Sequence, residues 1–232
     1  MNRVLGAARL HLVNPLVALG VPWLIVASSF VINLAVWGLT PAGEQPGGGI
    51  TGGLGALYIT VLVVFTQSVT RLLPFAMGVS LSRRTFYLGT ALMAAGLSLV
   101  YGVVLTVLKT IEQATGGWGV RLPFWAPGRL DVDNPALQVA VYAAPMLLVA
   151  AIGTGLGVVF KRWGATGVWA LVLASLLSMG GLIVLTTWLE AWGSVGRFLV
   201  DSPIALLAVG IPLAAAAALG LMGFAGVRRV VP

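Results

Sequence analysis

The chain has 232 residues, of which 59% are hydrophobic and only 8% are charged, and its formal net charge is +7. So little polar surface excludes a water-soluble globule of this length, and most of the chain is expected to have lipid as its solvent. The sequence contains no cysteine, which excludes disulfides, thiolate metal sites, iron–sulfur clusters and thiol nucleophiles.

Six apolar runs are each long enough to cross a hydrocarbon core of about 30 Å as a helix, which takes roughly 20 residues. The runs are apolar on all sides, whereas the strands of a membrane barrel alternate polar and apolar residues. The predicted spans are Pro15–Leu39, Leu54–Val79, Phe86–Leu108, Pro135–Phe160, Ala165–Leu189 and Pro203–Val227. The sequence therefore predicts an all-α integral membrane protein with six transmembrane helices in a single domain, residues 1–232.

The basic residues predict the orientation of these helices. With a cytoplasmic N-terminus, nine of the 13 lysines and arginines lie inside, as the positive-inside rule requires, and all six acidic residues lie outside. We therefore predict a multi-pass protein of the cell (plasma) membrane with both termini in the cytoplasm. The basic residues are scattered beside the spans and not gathered on a soluble face, so no nucleic acid is expected as a partner.

Residues 1–14 precede the first span and are predicted to form an interfacial segment along the membrane surface. Within the first two spans, five polar side chains stand out: Asn33, Thr66, Gln67, Ser68 and Thr70. Of these side chains, the Gln67 amide is the costliest to bury without a hydrogen-bond partner, so we expect it to face a helix or a cavity. Two interpretations of this set remain open, contacts between helices and contacts with a transported compound. Arg71 is expected to snorkel to the inner headgroups, with a substrate or a lipid headgroup as the alternative partner.

The connection between the second and third spans places Arg83 and Arg84 directly before Phe86 and Tyr87. This short segment is suited to lie at the membrane surface and to present charge and aromatic rings to a partner. The alternative interpretation is that the arginines only fix the topology and that the two rings belong to an interfacial aromatic belt.

Glycine and proline also stand out within the spans. Gly153 and Gly157 have the spacing that lets two membrane helices approach closely. Four prolines are expected to disrupt helical hydrogen bonding within spans: Pro22, Pro74, Pro145 and Pro212. After the fifth span, residues 188–202 contain spaced aromatic and aliphatic side chains and are predicted to dip into the outer leaflet.

Several kinds of chemistry are missing from the sequence. No aspartate or glutamate lies within a predicted span, which argues against an ion-coupled carrier. No phosphate-binding G-x-x-x-x-G-K-[ST] loop is present, so any ATP hydrolysis must come from another chain. Asp131, Asp133 and Asn134 lack the remaining ligands of a calcium loop, and no metal site is predicted.

The segment Leu73–Thr90, LPFAMGVSLSRRTFYLGT, resembles the end of the second span, the coupling helix and the start of the third span in bacterial permeases of the six-span, exporter-type ATP-binding-cassette (ABC) superfamily. The resemblance implies that residues 80–87 form a short coupling helix that sits in a groove of a cytoplasmic ABC ATPase subunit. The contact residues it implies are Ser82, Arg83, Arg84, Thr85, Phe86 and Tyr87. It also implies that residues 1–14 include the family's elbow helix and that residues 188–202 form an external re-entrant loop.

Taken with the composition, the resemblance implies a permease subunit of an ATP-driven exporter that moves an amphipathic or lipophilic compound. The chain would pair with a second copy or a similar chain, it would not itself be an enzyme, and ATP and Mg would be held by the partner ATPase. Asn33, Thr66, Gln67, Ser68 and Thr70 would contribute to the translocation pathway. The alternatives are an assembly or regulatory subunit without transport activity, and an ion-coupled secondary carrier.

Overall fold

The structure is a computed structural model that describes residues 3–41 and 51–227. Five of its helices are long and apolar enough to cross a membrane. The helices are α1 (Arg3–Leu10), α2 (Leu16–Leu39), α3 (Gly55–Gly78), α4 (Arg83–Ala114), α5 (Pro135–Trp188), α6 (Trp192–Asp201) and α7 (Ala205–Val227). The prediction of an all-α chain with several potential membrane-spanning helices is therefore confirmed. Three of the charged residues whose side of the membrane is predicted above lie outside the described ranges: Glu44, Arg228 and Arg229.

The longest helix, α5, joins the predicted fourth and fifth spans, so the structure has five continuous long helices where the sequence predicts six. Its 54 residues are helical except at Gly164, whose φ of 63° and ψ of −156° suit a residue without a Cβ atom. Gly164 lies where the turn between the two spans is predicted.

The chain reverses direction at Gly164. A straight helix of 54 residues would be about 80 Å long, so Trp188 would lie far from Pro135. Instead, the Arg129 guanidinium, just before α5, donates hydrogen bonds to the carbonyls of Leu199 and Ser202, just after it. The connection after Trp188 is too short to return over that distance because most of it is the helix α6. The two halves of α5 therefore run in opposite directions.

Three of the long helices contain a π turn that ends two residues before a proline. The pairs are Leu16–Gly20 with Pro22, Ser68–Leu72 with Pro74, and Ala205–Gly210 with Pro212. A proline ring has no N–H and collides with the carbonyl four residues earlier. The wider π turn moves that carbonyl aside, so the helix continues through the proline. The disruption predicted from the sequence is thus a local widening in α2, α3 and α7, whereas Pro145 lies in an α-helical part of α5.

The core lies where α2, α3, α4 and the first half of α5 meet. Val26, Leu57, Leu105 and Met146, one from each of these helices, are buried in one apolar cluster. The close approach predicted for Gly153 and Gly157 is confirmed: a Cβ atom at Gly153 would overlap the carbonyl oxygen of Leu62, and one at Gly157 would lie 2.6 Å from the Cβ of Val69. These two glycines therefore let α5 pack directly against α3.

The second half of α5 is packed quite differently from the first. No residue from Val159 to Ile211 is buried, although this range includes half of α5, all of α6 and the start of α7. Most of these side chains are apolar, which suits a surface that faces lipid or another protein and does not suit water.

Candidate functional site

The residues predicted to contact an ATPase lie at the connection between α3 and α4, at the end of the bundle that also carries α1; we call it the α1 end. Only Val79–Ser82 separate the two helices. The Ser82 hydroxyl oxygen accepts a hydrogen bond from the backbone N–H of Thr85 at 3.1 Å and caps α4. The structure thus differs from the predicted separate helix over residues 80–87, because the cap makes Arg83 the first residue of a 32-residue helix.

The six predicted contact residues do not share one environment. Ser82 and Arg84 are exposed, while Arg83 and Thr85 are half-buried. Phe86 and Tyr87 are only 1% and 8% exposed, so the expectation that they present their rings to a partner is wrong. Phe86 stacks on the ring of His11, and the Tyr87 hydroxyl donates a 2.8 Å hydrogen bond to the Gly220 carbonyl in α7. Both rings are held by the chain's own interior, which leaves the polar residues 82–85 as the accessible part.

His11, the single histidine of the chain, is also buried at the α1 end. Its Nε2 lies 3.0 Å from the Thr90 hydroxyl oxygen of α4, and its Nδ1 lies 3.3 Å from the Ser68 hydroxyl oxygen of α3. Phe65 and Phe86 stack on the ring from α3 and α4. Burial lowers the pKa of His11 to about 4, so the ring is neutral at pH 7.

The contacts of His11 show that residues 3–14 pack against the helices that follow. Ala7 and Ala8 are buried, and α1 packs against the first turns of α4. His11 then joins α1, α3 and α4 through one ring. Sequence analysis missed this role because the partners of His11 are 57 and 79 residues away along the chain.

Two of the predicted pathway residues line a crevice beside α3. Gln67 and Ser68 line a crevice of about 230 Å³ between α3 and the segment that joins α1 to α2. The hydroxyls of Thr66 and Thr70 donate hydrogen bonds to carbonyls of their own helix, at 2.9 Å and 3.2 Å. The Asn33 amide likewise donates to the Ser29 carbonyl at 2.8 Å. The Ser68 hydroxyl donates to the Val64 carbonyl in the same way at 2.9 Å, so Ser68 differs from Thr66 and Thr70 in lining the crevice and not in this hydrogen bond.

A second polar site, which sequence analysis did not single out, lies at the opposite end of the bundle. We call it the Glu112 end. The predicted third span stops at Leu108, but α4 continues to Ala114 and carries Lys109 and Glu112 in its last turns. The buried Glu112 carboxylate accepts hydrogen bonds from the Trp118 indole N–H at 3.2 Å and from the backbone N–H groups of Phe124 at 2.9 Å and Trp125 at 3.1 Å.

Further polar contacts hold the segment after α4 against the ends of α4 and α5. Lys109 pairs with Asp131 at 2.6 Å, and the Gln138 side chain bonds the backbone of Leu130 and Val132 at 3.0 and 2.8 Å. Arg129 links the same segment to the C-terminal end of α6. Residues 188–202, predicted as a re-entrant loop, thus contain the ten-residue helix α6 with Trp192 and Phe198 exposed.

A comparison of the chain with protein-family models, with curated proteins and with solved structures finds no match.

Proposed function

We propose that this chain is the membrane-spanning permease subunit of an ATP-driven exporter of the ABC type. In this proposal α5 crosses the membrane twice, with its turn at Gly164, which makes six crossings and leaves both termini in the cytoplasm. A second copy or a similar chain completes the pathway, and ATP and Mg belong to a separate ATPase subunit.

The observation that carries the proposal is the local structure of the α3–α4 connection. Ser82 and Arg84 are exposed at its tip, where a basic and polar contact can be made. Because Ser82 caps α4 directly, a force applied at this tip enters a 32-residue helix without an intervening loop. His11 ties the same part of α4 to α3, so the two helices would move together.

The nature of the transported compound is inferred from a groove between α5 and α7. A groove of about 560 Å³ between α5 and α7 is lined mainly by apolar and small residues, among them Gly155, Leu171 and Met222. At its rim the Arg162 guanidinium lies 4.3 Å from the centre of the Trp163 ring. A mostly apolar groove with one cation at its edge favours an amphipathic or lipophilic compound.

Charge reversal at the tip tests the proposal. We expect the double variant Arg83→Glu/Arg84→Glu to insert normally but to recover at least about tenfold less ATPase on affinity purification, since a partner groove for two cations repels two anions. Transport into inverted vesicles should fall in parallel. The matched control for ATPase recovery is Lys161→Glu/Arg162→Glu, which reverses the basic pair beside Gly164; it is not a control for transport, because Arg162 lines the groove. Equal ATPase recovery from the wild type and the tip variant would contradict the proposal.

The second candidate is an assembly or regulatory subunit without transport activity. The observation that favours it is the absence of any buried residue between Val159 and Ile211, which leaves a long apolar surface free to pack within a larger complex. Purification of the native complex separates the two candidates, because only the exporter requires an ATPase in stoichiometric amount.

A further inference from the structure

Arg71 is a cation within a long apolar helix, and no carboxylate of the described ranges pairs with it. It lies in α3, seven residues before the helix ends at Gly78, and its side chain is exposed. Within residues 3–41 and 51–227, the ion pair between Lys109 and Asp131 is at the Glu112 end, as are the other described carboxylates. A guanidinium at the membrane boundary is stabilised by an anion or by headgroup water.

The groups beside Arg71 are hydrogen-bond donors with unused capacity. Gln67 lies one turn earlier on the same face of α3 and lines the same crevice, and its half-buried amide makes no hydrogen bond to the described part of the chain. Across the crevice, the Asn14 side-chain oxygen accepts a long 3.4 Å hydrogen bond from the Val17 N–H, which leaves its NH₂ group free to donate. One guanidinium and two amides therefore surround the crevice, and no carboxylate lines it.

The backbone at this point is also unusual. Arg71 belongs to the π turn Ser68–Leu72 that precedes Pro74. The same kind of turn precedes Pro22 and Pro212, so Pro74 accounts for its presence, and what distinguishes this turn is the polar side chains beside it. Here the turn lies where Arg71 and Gln67 both line the crevice, so the distortion and the unpaired donors coincide.

Apolar side chains continue the crevice toward lipid. Val13 and Leu16, on either side of Asn14, are 74% and 77% exposed, and Val17 is nearly half exposed. Seven helical residues correspond to about 10 Å, so Arg71 reaches the level of the phosphate and glycerol groups. A ligand at this place would meet donors at its polar end and aliphatic side chains along its tail.

We propose that this crevice binds the phosphate ester of a phospholipid headgroup. Arg71 supplies the charge and bonds two phosphate oxygens through its planar guanidinium. Gln67 and Asn14 donate to the remaining oxygens, and Val13 and Leu16 contact an acyl chain. The site binds an anionic lipid more tightly than a zwitterionic one, because Arg71 has no internal counter-ion.

Lipid titration of the purified, delipidated chain tests the site without any ATPase, so its outcome is separate from that of the exporter proposal. The probes are phosphatidylglycerol, phosphatidylcholine and inorganic phosphate, and binding is measured by native mass spectrometry. We expect phosphatidylglycerol to bind the wild type most tightly, Arg71→Gln to weaken it at least about tenfold and Arg71→Lys to weaken it less, since lysine keeps the charge and loses the paired hydrogen bonds. Gln67→Leu should weaken it by a smaller factor.

The matched control is Arg9→Gln, which removes an exposed cation at the same end of the bundle. It should change phosphatidylglycerol binding by less than about twofold. Equal binding by the wild type and Arg71→Gln, with unchanged melting temperatures, would overturn the site. Competition by inorganic phosphate as effective as that by the lipid would overturn the assignment to a headgroup and indicate a site for free phosphate.

Discussion

His11 holds three helices together through a ring that must stay uncharged. Its nearest groups are the hydroxyls of Ser68 and Thr90 and the rings of Phe65 and Phe86, none of which is ionised in the acid range. The Ser68 and Thr90 hydroxyls donate to the carbonyls of Val64 and Phe86 at 2.9 Å and 3.0 Å, so each hydroxyl oxygen can accept a hydrogen bond from a ring N–H. Protonation would turn both ring nitrogens into donors and bury a charge among aromatic rings.

Acid should therefore destabilise the α1 end. Because the pKa of His11 is about 4 in the folded protein and about 6.5 when exposed, the unfolded chain binds a proton first as the pH falls. The resulting loss between pH 6.5 and 4 amounts to about 3 kcal/mol of unfolding free energy. We expect thermal unfolding in detergent to show this loss in the wild type and a flatter profile in His11→Phe. Identical profiles for the two proteins would contradict the role of His11.

At the other end of the bundle, the Glu112 carboxylate plays a similar structural role. It accepts hydrogen bonds from three N–H groups of the segment after α4. Glu112→Gln replaces an acceptor oxygen by an NH₂ group that faces donors, and hydrogen bonds to a charged group are worth about 2 kcal/mol. We expect faster trypsin cleavage at the exposed Arg121 in this variant. Glu190→Gln, which changes an exposed carboxylate, is the control and should leave the cleavage rate unchanged.

At the scale of elements, the contact between α3 and α5 depends on glycine at specific turns. Gly153 faces the Leu62 carbonyl, whereas a Cβ atom at Gly155 would meet nothing within 4 Å. Gly153→Ala should therefore destabilise the protein by about 1–3 kcal/mol, because the backbone of α3 has to move. Gly155→Ala, two residues along the same helix, should be neutral or slightly stabilising. Chemical unfolding of both variants in mixed micelles measures the difference, and equal stabilities would mean that the two helices are not in close contact.

The prolines show how much of an element can be derived from its sequence. Their positions predict where hydrogen bonding in the spans is disturbed, because the ring and the missing N–H act locally. The form of the disturbance depends on the surroundings, since Pro22, Pro74 and Pro212 follow π turns and Pro145 does not. Similarly, the sequence places Phe86 and Tyr87 at a helix end, but their burial requires His11 and α7.

At the scale of the whole molecule, the topology can be measured directly because the chain has no cysteine to remove. We predict that Val79→Cys and Arg162→Cys react with an impermeant thiol reagent only from the cytoplasmic side, and that Asp133→Cys reacts only from the outside. The cysteine at residue 162 should react from the same side as the cysteine at residue 79, because α5 turns at Gly164 and crosses the membrane twice in the proposed arrangement. A cysteine at residue 162 that reacts from neither side would contradict the double crossing of α5.

The sequence alone determined that the chain is all-α, where most of its apolar helices run and which prolines disturb them, because hydropathy and ring geometry are properties of neighbouring residues. The tertiary structure decided which polar side chains find partners. His11 meets residues 57 and 79 positions away, and Tyr87 meets one 133 positions away. Such contacts depend on how the helices pack against one another, and no local pattern specifies that arrangement. For the same reason Phe86 and Tyr87 are buried, and Arg71 and Gln67 face one crevice.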